Sequence, residues 1–193
     1  MPPGCSTLGS MLSTLHRIGN SVVQGGAAGD TGQVTELSVR LRELDEHLLA
    51  ELLATAVAEA DPPEVMPPGD GPPGWTRQRQ QAFLQFHRER SIGADTPVET
   101  TYAIELDSTV VGAARLEPVG TAVEAGIWIG RSWRGSGVGR AVIVELLAAA
   151  RAIGAVRFIA VTTPGNLAAR KLLASLGADV AVRDGDVVAE LTL

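Results

Sequence analysis

Apolar residues follow two spacings along the chain, and each spacing predicts its own kind of element. Recurrence every three or four residues predicts helices, and alternation or a β-branched run predicts strands. The predicted helices span residues 45–60, 77–90, 138–153 and 167–176. The predicted strands span residues 36–41, 101–105, 109–116, 121–129, 156–162, 180–183 and 186–193. Because strands and helices are interspersed, the pattern predicts a mixed, twisted sheet with helices on both faces.

The first two helices carry apolar residues that predict a buried face. In the helix over 45–60 this stripe consists of Leu48, Leu49, Leu52, Leu53 and Val57. In the helix over 77–90, the residues expected to point inward are Phe83, Leu84 and Phe86. His87 is interpreted as a surface or packing residue, because nothing near it in sequence would orient it for catalysis.

The segments between these elements carry turn signals. Asp107-Ser108 and Asp184-Gly185 predict two-residue hairpin turns between neighbouring strands. The segment 61–75 is rich in proline and glycine, so neither a helix nor a central strand is predicted there. Residues 1–32 are rich in Gly, Ser and Thr, and we expect a mostly disordered tail, the alternative being a short docking helix around residues 11–18.

Length and composition narrow the class of protein. With 193 residues, of which 45% are hydrophobic, residues 33–193 are expected to form a single domain. A net charge of −6 argues against nucleic acid or an acidic membrane as a partner. No membrane span and no signal peptide is expected, so a cytoplasmic location is predicted. One cysteine and three scattered histidines argue against a disulfide framework and against a zinc or other metal site.

A glycine-rich run joins the strand over 121–129 to the helix that follows it. Glycines at the start of a helix let unpaired backbone N–H groups approach a ligand, which predicts an anion site. A phosphate-binding loop of the Walker type would need lysine where Ser136 stands, and a dinucleotide fingerprint would need glycine where Arg140 stands. Both of these alternatives fail, and an Arg-x-x-Gly-x-Gly motif remains, formed by Arg134, Gly137 and Gly139.

This motif resembles the acyl-CoA signature of the GNAT superfamily of N-acetyltransferases. The resemblance extends to the strand over 156–162, to Asn166 and Ala169 after it, and to Gly177 before the last hairpin. It implies an α/β (α+β) fold with a mixed, largely antiparallel sheet, helices on both faces and a splayed central strand pair. It also implies an acetyl-CoA-dependent N-acetyltransferase of a family whose members are often homodimers.

The resemblance further implies which residues hold acetyl-CoA. Backbone groups of the fourth strand would bind the pantetheine and the acyl carbonyl, and the glycine loop would bind the pyrophosphate. The residues carried over are Ile127, Trp128, Ile129, Arg134, Gly135, Ser136, Gly137, Val138, Gly139, Arg140 and Asn166. Simpler roles compete at three places: a solvated helix end for the arginines, a core position for Trp128, and a helix N-cap for Asn166.

Glu124 matches the strand position at which many GNAT proteins place a glutamate that acts as general base, often through water. Alternation puts Glu124, Gly126 and Trp128 on one face, toward the expected cleft. A solvated surface position is the alternative for this glutamate. The family's usual tyrosine acid is missing, because Leu173 occupies its position, and Tyr102 lies in an early strand.

The acceptor is expected to meet the loop 61–75, which lines the acceptor site in GNAT proteins. Its candidate substrate-binding residues are Asp61, Glu64, Asp70 and Trp75. Carboxylates beside an aromatic face suit a small cationic amine, such as a polyamine or an aminoglycoside-like antibiotic, the latter implying antibiotic resistance. A protein or peptide N-terminus, or a lysine, is the alternative acceptor, and a solvated connecting loop is the alternative for the segment. Two alternatives to an enzyme are a non-catalytic acyl-CoA sensor and a nucleotide-binding module.

Overall fold

The computed structural model describes residues 38–69 and 72–193. The expected tail over 1–32 and the candidate acceptor residue Asp70 lie outside these residues. In the described part, the strands are β1 (Val39–Glu43), β2 (Thr100–Leu106), β3 (Thr109–Val119), β4 (Ala122–Ile129), β5 (Arg157–Thr162), β6 (Asp179–Arg183) and β7 (Asp186–Thr192). They form one 7-stranded sheet in the order β1-β2-β3-β4-β5-β7-β6. Every neighbouring pair is antiparallel except β4 and β5, which are parallel.

Five α-helices accompany the sheet within the described residues: α1 (Glu46–Glu59), α2 (Pro62–Val65), α3 (Arg77–His87), α4 (Val138–Ala152) and α5 (Leu167–Ser175). Side chains cap three of them, because the first N–H groups of a helix have no partner inside it. Asp45 accepts from the N–H of Leu48, Thr76 from that of Arg79, and Asn166 from that of Ala169. None of the helices described has the length and hydropathy needed to cross a membrane.

The sheet separates two hydrophobic cores. The larger core packs α4 against one face, where Val138, Val142 and Leu146 meet Phe158 of β5. The other packs α1 and α3 against the opposite face, where Leu49 and Phe83 meet Trp128 of β4. Helices therefore cover both faces, as the hydrophobic pattern predicted.

Two predicted hairpins are confirmed by their backbone angles. Asp107 and Ser108 have φ values of 49° and 67°, and Asp184 and Gly185 have φ values of 52° and 91°. Positive φ at both central residues is the geometry that lets a two-residue turn follow the twist of its strands. The turn residues therefore set the register of β2 with β3 and of β6 with β7.

Three details of the sequence pattern were wrong. The loop 61–75 contains a helical turn, α2, because Pro62 lies at the first helical position, where its missing N–H costs nothing. Val57, assigned to the buried stripe of α1, is 40% exposed because the helix turns this position away from the sheet. The second helix ends its α-helical part at His87 and continues as a π-helical turn, Arg88–Ile92.

The parallel pair β4 and β5 opens at one end. Their register runs only from Ala122 beside Arg157 to Ala125 beside Ala160. Beyond that point β4 continues to Ile129 against β3, and β5 continues to Thr162 against β7. The two strands therefore diverge, and a gap opens at the centre of the sheet.

Candidate active site

The gap exposes backbone groups of β4 in a defined alternation. Gly130 donates its N–H to the carbonyl of Val111 at 2.9 Å, which sets the phase of the hydrogen bonds between β3 and β4. Hydrogen-bonded pairs recur at every second residue of an antiparallel ladder, so the pair before Gly130 and Val111 is Trp128 with Ala113 of β3. Ile127 and Ile129 lie between these pairs, so their backbone groups face the gap.

The glycine loop ends beside this gap. Gly135 and Gly137 have φ values of 79° and 93°, a region that favours glycine, and α4 begins directly after them at Val138. The N–H groups of Arg140 and Ala141 both donate to the carbonyl of Gly137, so the helix's unpaired N–H groups are those that precede Arg140. A Cβ on Gly139 would lie 3.5 Å from Cδ1 of Ile129. The first turn of α4 thus abuts the end of β4, and its unpaired N–H groups lie beside that end.

The two arginines of the motif have different surroundings. Arg134 turns back on the chain: its Nε donates to the carbonyl of Ile129 at 2.7 Å, and its Nη1 lies 3.4 Å from Oε1 of Glu64. Arg140 is exposed on the first turn of α4, where its Nη1 donates to Oγ of Ser175 at 3.3 Å. Arg140 is therefore the more accessible cation beside the helix start.

Asn166 serves as the N-cap of α5, the simpler of the two roles considered for it. Its side chain accepts from the N–H of Ala169 at 3.1 Å and donates from Nδ2 to Oγ1 of Thr162 at 2.9 Å. The residue is 1% exposed. Asn166 therefore ties the end of β5 to the start of α5, on the side of the gap opposite β4.

Glu124 takes part in an ion-pair network on the α1 and α3 face of the sheet. Arg115 of β3 donates from Nη2 to Oε1 of Glu124 at 2.9 Å and from Nη1 to Oε2 of Glu117 at 2.7 Å. The side chains of Arg115 and Glu124 are 12% and 11% exposed, so water screens their pairing little. A Cβ on Gly126 would lie 2.8 Å from Nε of Arg115, so this glycine makes room for the guanidinium.

Arg90 extends the network from the π-helical turn. Its guanidinium donates to Oε2 of Glu99 at 2.8 and 2.9 Å and to Oε2 of Glu117 at 2.7 Å. The side chain of Glu99 is fully buried, and Thr101 donates to its other oxygen at 3.1 Å. The pairs join two guanidinium groups to three carboxylates, those of Glu99, Glu117 and Glu124, which leaves an excess of one negative charge.

The acidic residues of the acceptor loop are engaged by arginines that follow β4. Asp61 lies 2.9 Å from Nη2 of Arg131, and Glu64 lies 3.4 Å from Arg131 and from Arg134. Glu64 also accepts from the N–H of Asp61 at 2.8 Å in a capping box. The two carboxylates therefore connect α2 to the segment that leads into the glycine loop.

Trp75 contacts the second hydrophobic core, as a residue with a structural role does. Its Nε1 donates to the carbonyl of Ala60 at 2.8 Å, and its ring packs edge-to-face on Phe83 with centroids 5.7 Å apart. Both contacts involve the second core, and Trp75 does not line the cleft described next. The structure thus separates it from Glu64, with which the sequence had grouped it.

A cleft of about 400 Å³, including the part open to solvent, lies between α3 and the middle of the sheet. Its lining combines apolar surface with carboxylates and backbone of β4, and it consists of Glu64, Val65, Phe86, His87, Glu99, Thr101, Ala113, Ala114, Arg115, Gly126, Ile127 and Trp128. Ile127 and Trp128, two of the predicted cofactor-binding residues, thus meet Glu64, a predicted acceptor-binding residue, in one cleft. Glu124 lies behind Arg115 on the same face.

Two polar side chains in this cleft have no hydrogen-bond partner among the described residues. They are His87, at both ring nitrogens, and Trp128, at Nε1. Burial lowers the pKa of His87 to about 4, with Glu99 opposing and Arg90 adding to the shift, so the imidazole is neutral at pH 7. Of the surface and packing positions predicted for His87, the structure shows the packing one: His87 lies one helical turn after Phe83, shares its buried face and meets its ring edge-to-face, with centroids 4.6 Å apart.

The positions of Leu173 and Tyr102 show whether a tyrosine could act as an acid in the cleft. Leu173, at the place where a family acid would be expected, is 3% exposed within the larger core. Tyr102 packs against that same core, and burial together with Glu43 raises its pKa above the ordinary value. Neither residue lines the cleft.

Within residues 38–69 and 72–193, no group of three or more His, Cys, Asp or Glu side chains is arranged to hold a metal ion.

Comparisons with known proteins agree with this geometry. Residues 38–179 match the family model described as acetyltransferase (GNAT) domain. A search of curated proteins finds no match.

Solved structures share the fold at low sequence identity. RimJ of Mycobacterium smegmatis, solved with CoA-disulfide, has a TM-score of 0.65 at 20% identity, covering 80% of this chain and 81% of its own. An N-acetyltransferase from Staphylococcus aureus has a TM-score of 0.57 at 18% identity, with coverage of 80% and 98%. The N-acetyltransferase PseH of Campylobacter jejuni, solved with acetyl coenzyme A, has a TM-score of 0.59 at 13% identity, with coverage of 80% and 98%.

Proposed function

The chain belongs to the acetyltransferase (GNAT) domain family and is an acetyl-CoA-dependent acyltransferase, and on that premise we propose that it acetylates a compact primary amine. The proposal rests on one observation: the gap in the sheet and the cleft both reach strand β4. The gap between β4 and β5 ends at the glycine loop, and the cleft with its carboxylates opens onto Ile127 of the same strand. Acetyl-CoA in the gap and the amine in the cleft would thus reach the backbone of β4 from two sides.

The residues present fit acetyl-CoA. The loop from Gly135 to Gly139 would donate backbone N–H groups to the pyrophosphate, with Arg140 adding positive charge at the helix start. The backbone of Ile127, which faces the gap, would hold the pantetheine and donate to the acyl carbonyl oxygen. Acetyl-CoA supplies the activated thioester, and the protein's part is to orient it and stabilise charge on that oxygen.

The acceptor must lose a proton before it attacks, because an alkylammonium has a pKa near ~10. We assign this step to Glu124 through a water molecule, since one of its oxygens is bonded to Arg115 and the residue lies behind the wall of the cleft. Glu64, in the wall itself, would attract the incoming ammonium. Its ion pairs are long, at 3.4 Å, so it can exchange a partner more readily than Glu99 can.

The shape and charge of the cleft favour a compact acceptor. Walls that combine apolar side chains with carboxylates suit a short linear amine or the first residue of a peptide. The expected aminoglycoside-like acceptor rested on the carboxylates and the tryptophan of the loop 61–75, and of those that the structure describes only Glu64 lines the cleft. A polyamine enters as a narrow chain and stays a candidate, beside a peptide N-terminus.

Thiol release from acetyl-CoA tests the proposal directly. The acceptor panel would contain ethanolamine, spermidine, an aminoglycoside, lysine and short peptides with free N-termini. Release that depends on a compact amine supports the proposed function. Binding of acetyl-CoA without release by any acceptor would support the non-catalytic sensor instead.

A further inference from the structure

Among the described residues that line the cleft, Arg115 is the one that carries a positive charge. Two carboxylates, those of Glu64 and Glu99, line the cleft beside it. The imidazole of His87, in the same wall, is neutral at pH 7 because burial lowers its pKa to about 4. A ligand with a negative charge would therefore depend on Arg115 for an ion pair.

Arg115 is already surrounded by carboxylates. Its Nη1 donates to Oε2 of Glu117 at 2.7 Å and lies 3.5 Å from Oε2 of Glu99. Its Nη2 donates to Oε1 of Glu124 at 2.9 Å. The side chain is 12% exposed, so water screens these pairs little. A fourth carboxylate at this guanidinium would be repelled by the three that are already there.

The other polar side chains of the wall offer no donor to an anion. Thr101 donates its hydroxyl to Oε1 of Glu99 at 3.1 Å. The ring nitrogens of His87 and Nε1 of Trp128 are shielded from solvent. A carboxylate brought into the cleft would thus lose bound water without gaining a side-chain partner, which costs free energy.

An acceptor without a carboxylate avoids both costs. Resting on the proposed acetylation of a compact amine, we propose that the cleft selects against acceptors with a carboxylate close to the amine, and so excludes free amino acids. The substrate class that remains is an amine with only neutral or cationic groups near it. Such an amine occurs in a decarboxylated amino acid, in a polyamine and at a peptide N-terminus. The selection comes from repulsion of the wrong acceptor and needs no added contact to the right one.

Matched acceptors test this selection. Rates would be compared for ethanolamine against serine and for the peptide Ala-Asn-Gly against Ala-Asp-Gly, as kcat/KM with saturating acetyl-CoA. In each pair that is acetylated, the member without the carboxylate is expected to be preferred by about tenfold or more. The amine of serine is slightly less basic than that of ethanolamine, so proton loss cannot produce this preference. The two pairs distinguish a free amine from a peptide as the acceptor.

Variants test whether the charge of the wall causes the preference. Glu64→Gln and Glu99→Gln each remove one negative charge from the wall, and each is expected to lower the ratio by about threefold or more. Glu190→Gln is the matched control, because Glu190 is also a partly buried carboxylate, paired with Arg157 and Arg183, but does not line the cleft. It should keep the wild-type ratio. If Glu99→Gln does not fold, the Glu64→Gln ratio alone decides.

The outcomes remain distinguishable from failure of the proposed function. Equal rates for the two members of each acetylated pair in the wild type would overturn the inference while leaving the acetyltransfer intact. A ratio that stays at the wild-type value in both Glu64→Gln and Glu99→Gln would also overturn it, because the charges of the wall would not be its cause. Binding of acetyl-CoA without acetylation of any amine would instead contradict the proposed function.

Discussion

Arg115 donates from Nη2 to Oε1 of Glu124 across 2.9 Å, and the space for its side chain exists because residue 126 is a glycine. This pairing joins the proposed base to the network that reaches Glu99 and Arg90. It also occupies one oxygen of Glu124, so in the proposed mechanism the carboxylate would act on an acceptor amine through its second oxygen and a water molecule.

Substitution Glu124→Gln is therefore expected to lower kcat by about 100-fold or more, the usual contribution of a general base. The Kd for acetyl-CoA, measured by calorimetry, should change little, because the glycine loop lies elsewhere. Glu117→Gln is the matched control: it removes a charge from another partner of Arg115 and should retain most of the activity. Equal losses in the two variants would mean that Glu124 serves only the network.

The glycine loop gives a second prediction. Gly137→Ala forces a side chain onto a residue with φ of 93°, and Gly154→Ala does the same at φ of 79° beyond the other end of α4. Each substitution should cost about 1–2 kcal/mol of stability, from the strain of the left-handed conformation. Only Gly137→Ala should also raise the Kd for acetyl-CoA. A parallel loss of affinity in Gly154→Ala would argue that the effect is global.

Two strand glycines should differ in the cost of an added methyl group. At Gly112 a Cβ would come within 2.2 Å of the backbone oxygen of Trp128, whereas at Gly126 it would come within 2.8 Å of the flexible side chain of Arg115. Gly112→Ala should therefore cost about 3 kcal/mol, and Gly126→Ala about 1–2 kcal/mol. Chemical denaturation measures both values. Gly69→Ala, with open space around its Cβ, is the control expected to change little.

The buried histidine makes stability depend on pH. The folded-state pKa of His87 is about 4, below the ordinary value of 6.5, so the unfolded chain binds the proton more readily between these values. Its contribution is fully present above pH 6.5 and is lost as the pH falls toward 4. The loss amounts to about 3 kcal/mol over this range.

The test compares urea denaturation at pH 6.5 and pH 4.5 in two variants. His87→Leu should flatten the slope of stability against pH, because the variant has no group to titrate there. His47→Leu removes a histidine whose side chain is 78% exposed, and the slope should persist. A wild-type slope that is unchanged in His87→Leu would refute the assignment.

Much of the fold could be predicted because its signals are local. The hairpin turns depend on two residues each, α4 depends on an apolar repeat within its own span, and Asn166 caps the helix that begins at the next residue. The one-turn helix α2 was missed because proline was taken as a helix breaker, although at the first helical position it is not one. Three expectations stay predictions: a disordered tail over residues 1–32, a cytoplasmic location and a homodimer.

The sequence by itself determined the family, the glycine loop and the strand that carries the proposed base, since each is a short run of neighbouring residues. Only the tertiary structure decided which charges are free and which side chains share a cavity. Asp61 pairs with Arg131, Arg115 pairs with Glu124, and His87 and Trp128 line the same cleft. These partners lie on separate elements, and their burial removes the water that would otherwise satisfy them, so their roles follow from packing and cannot be deduced from residue type.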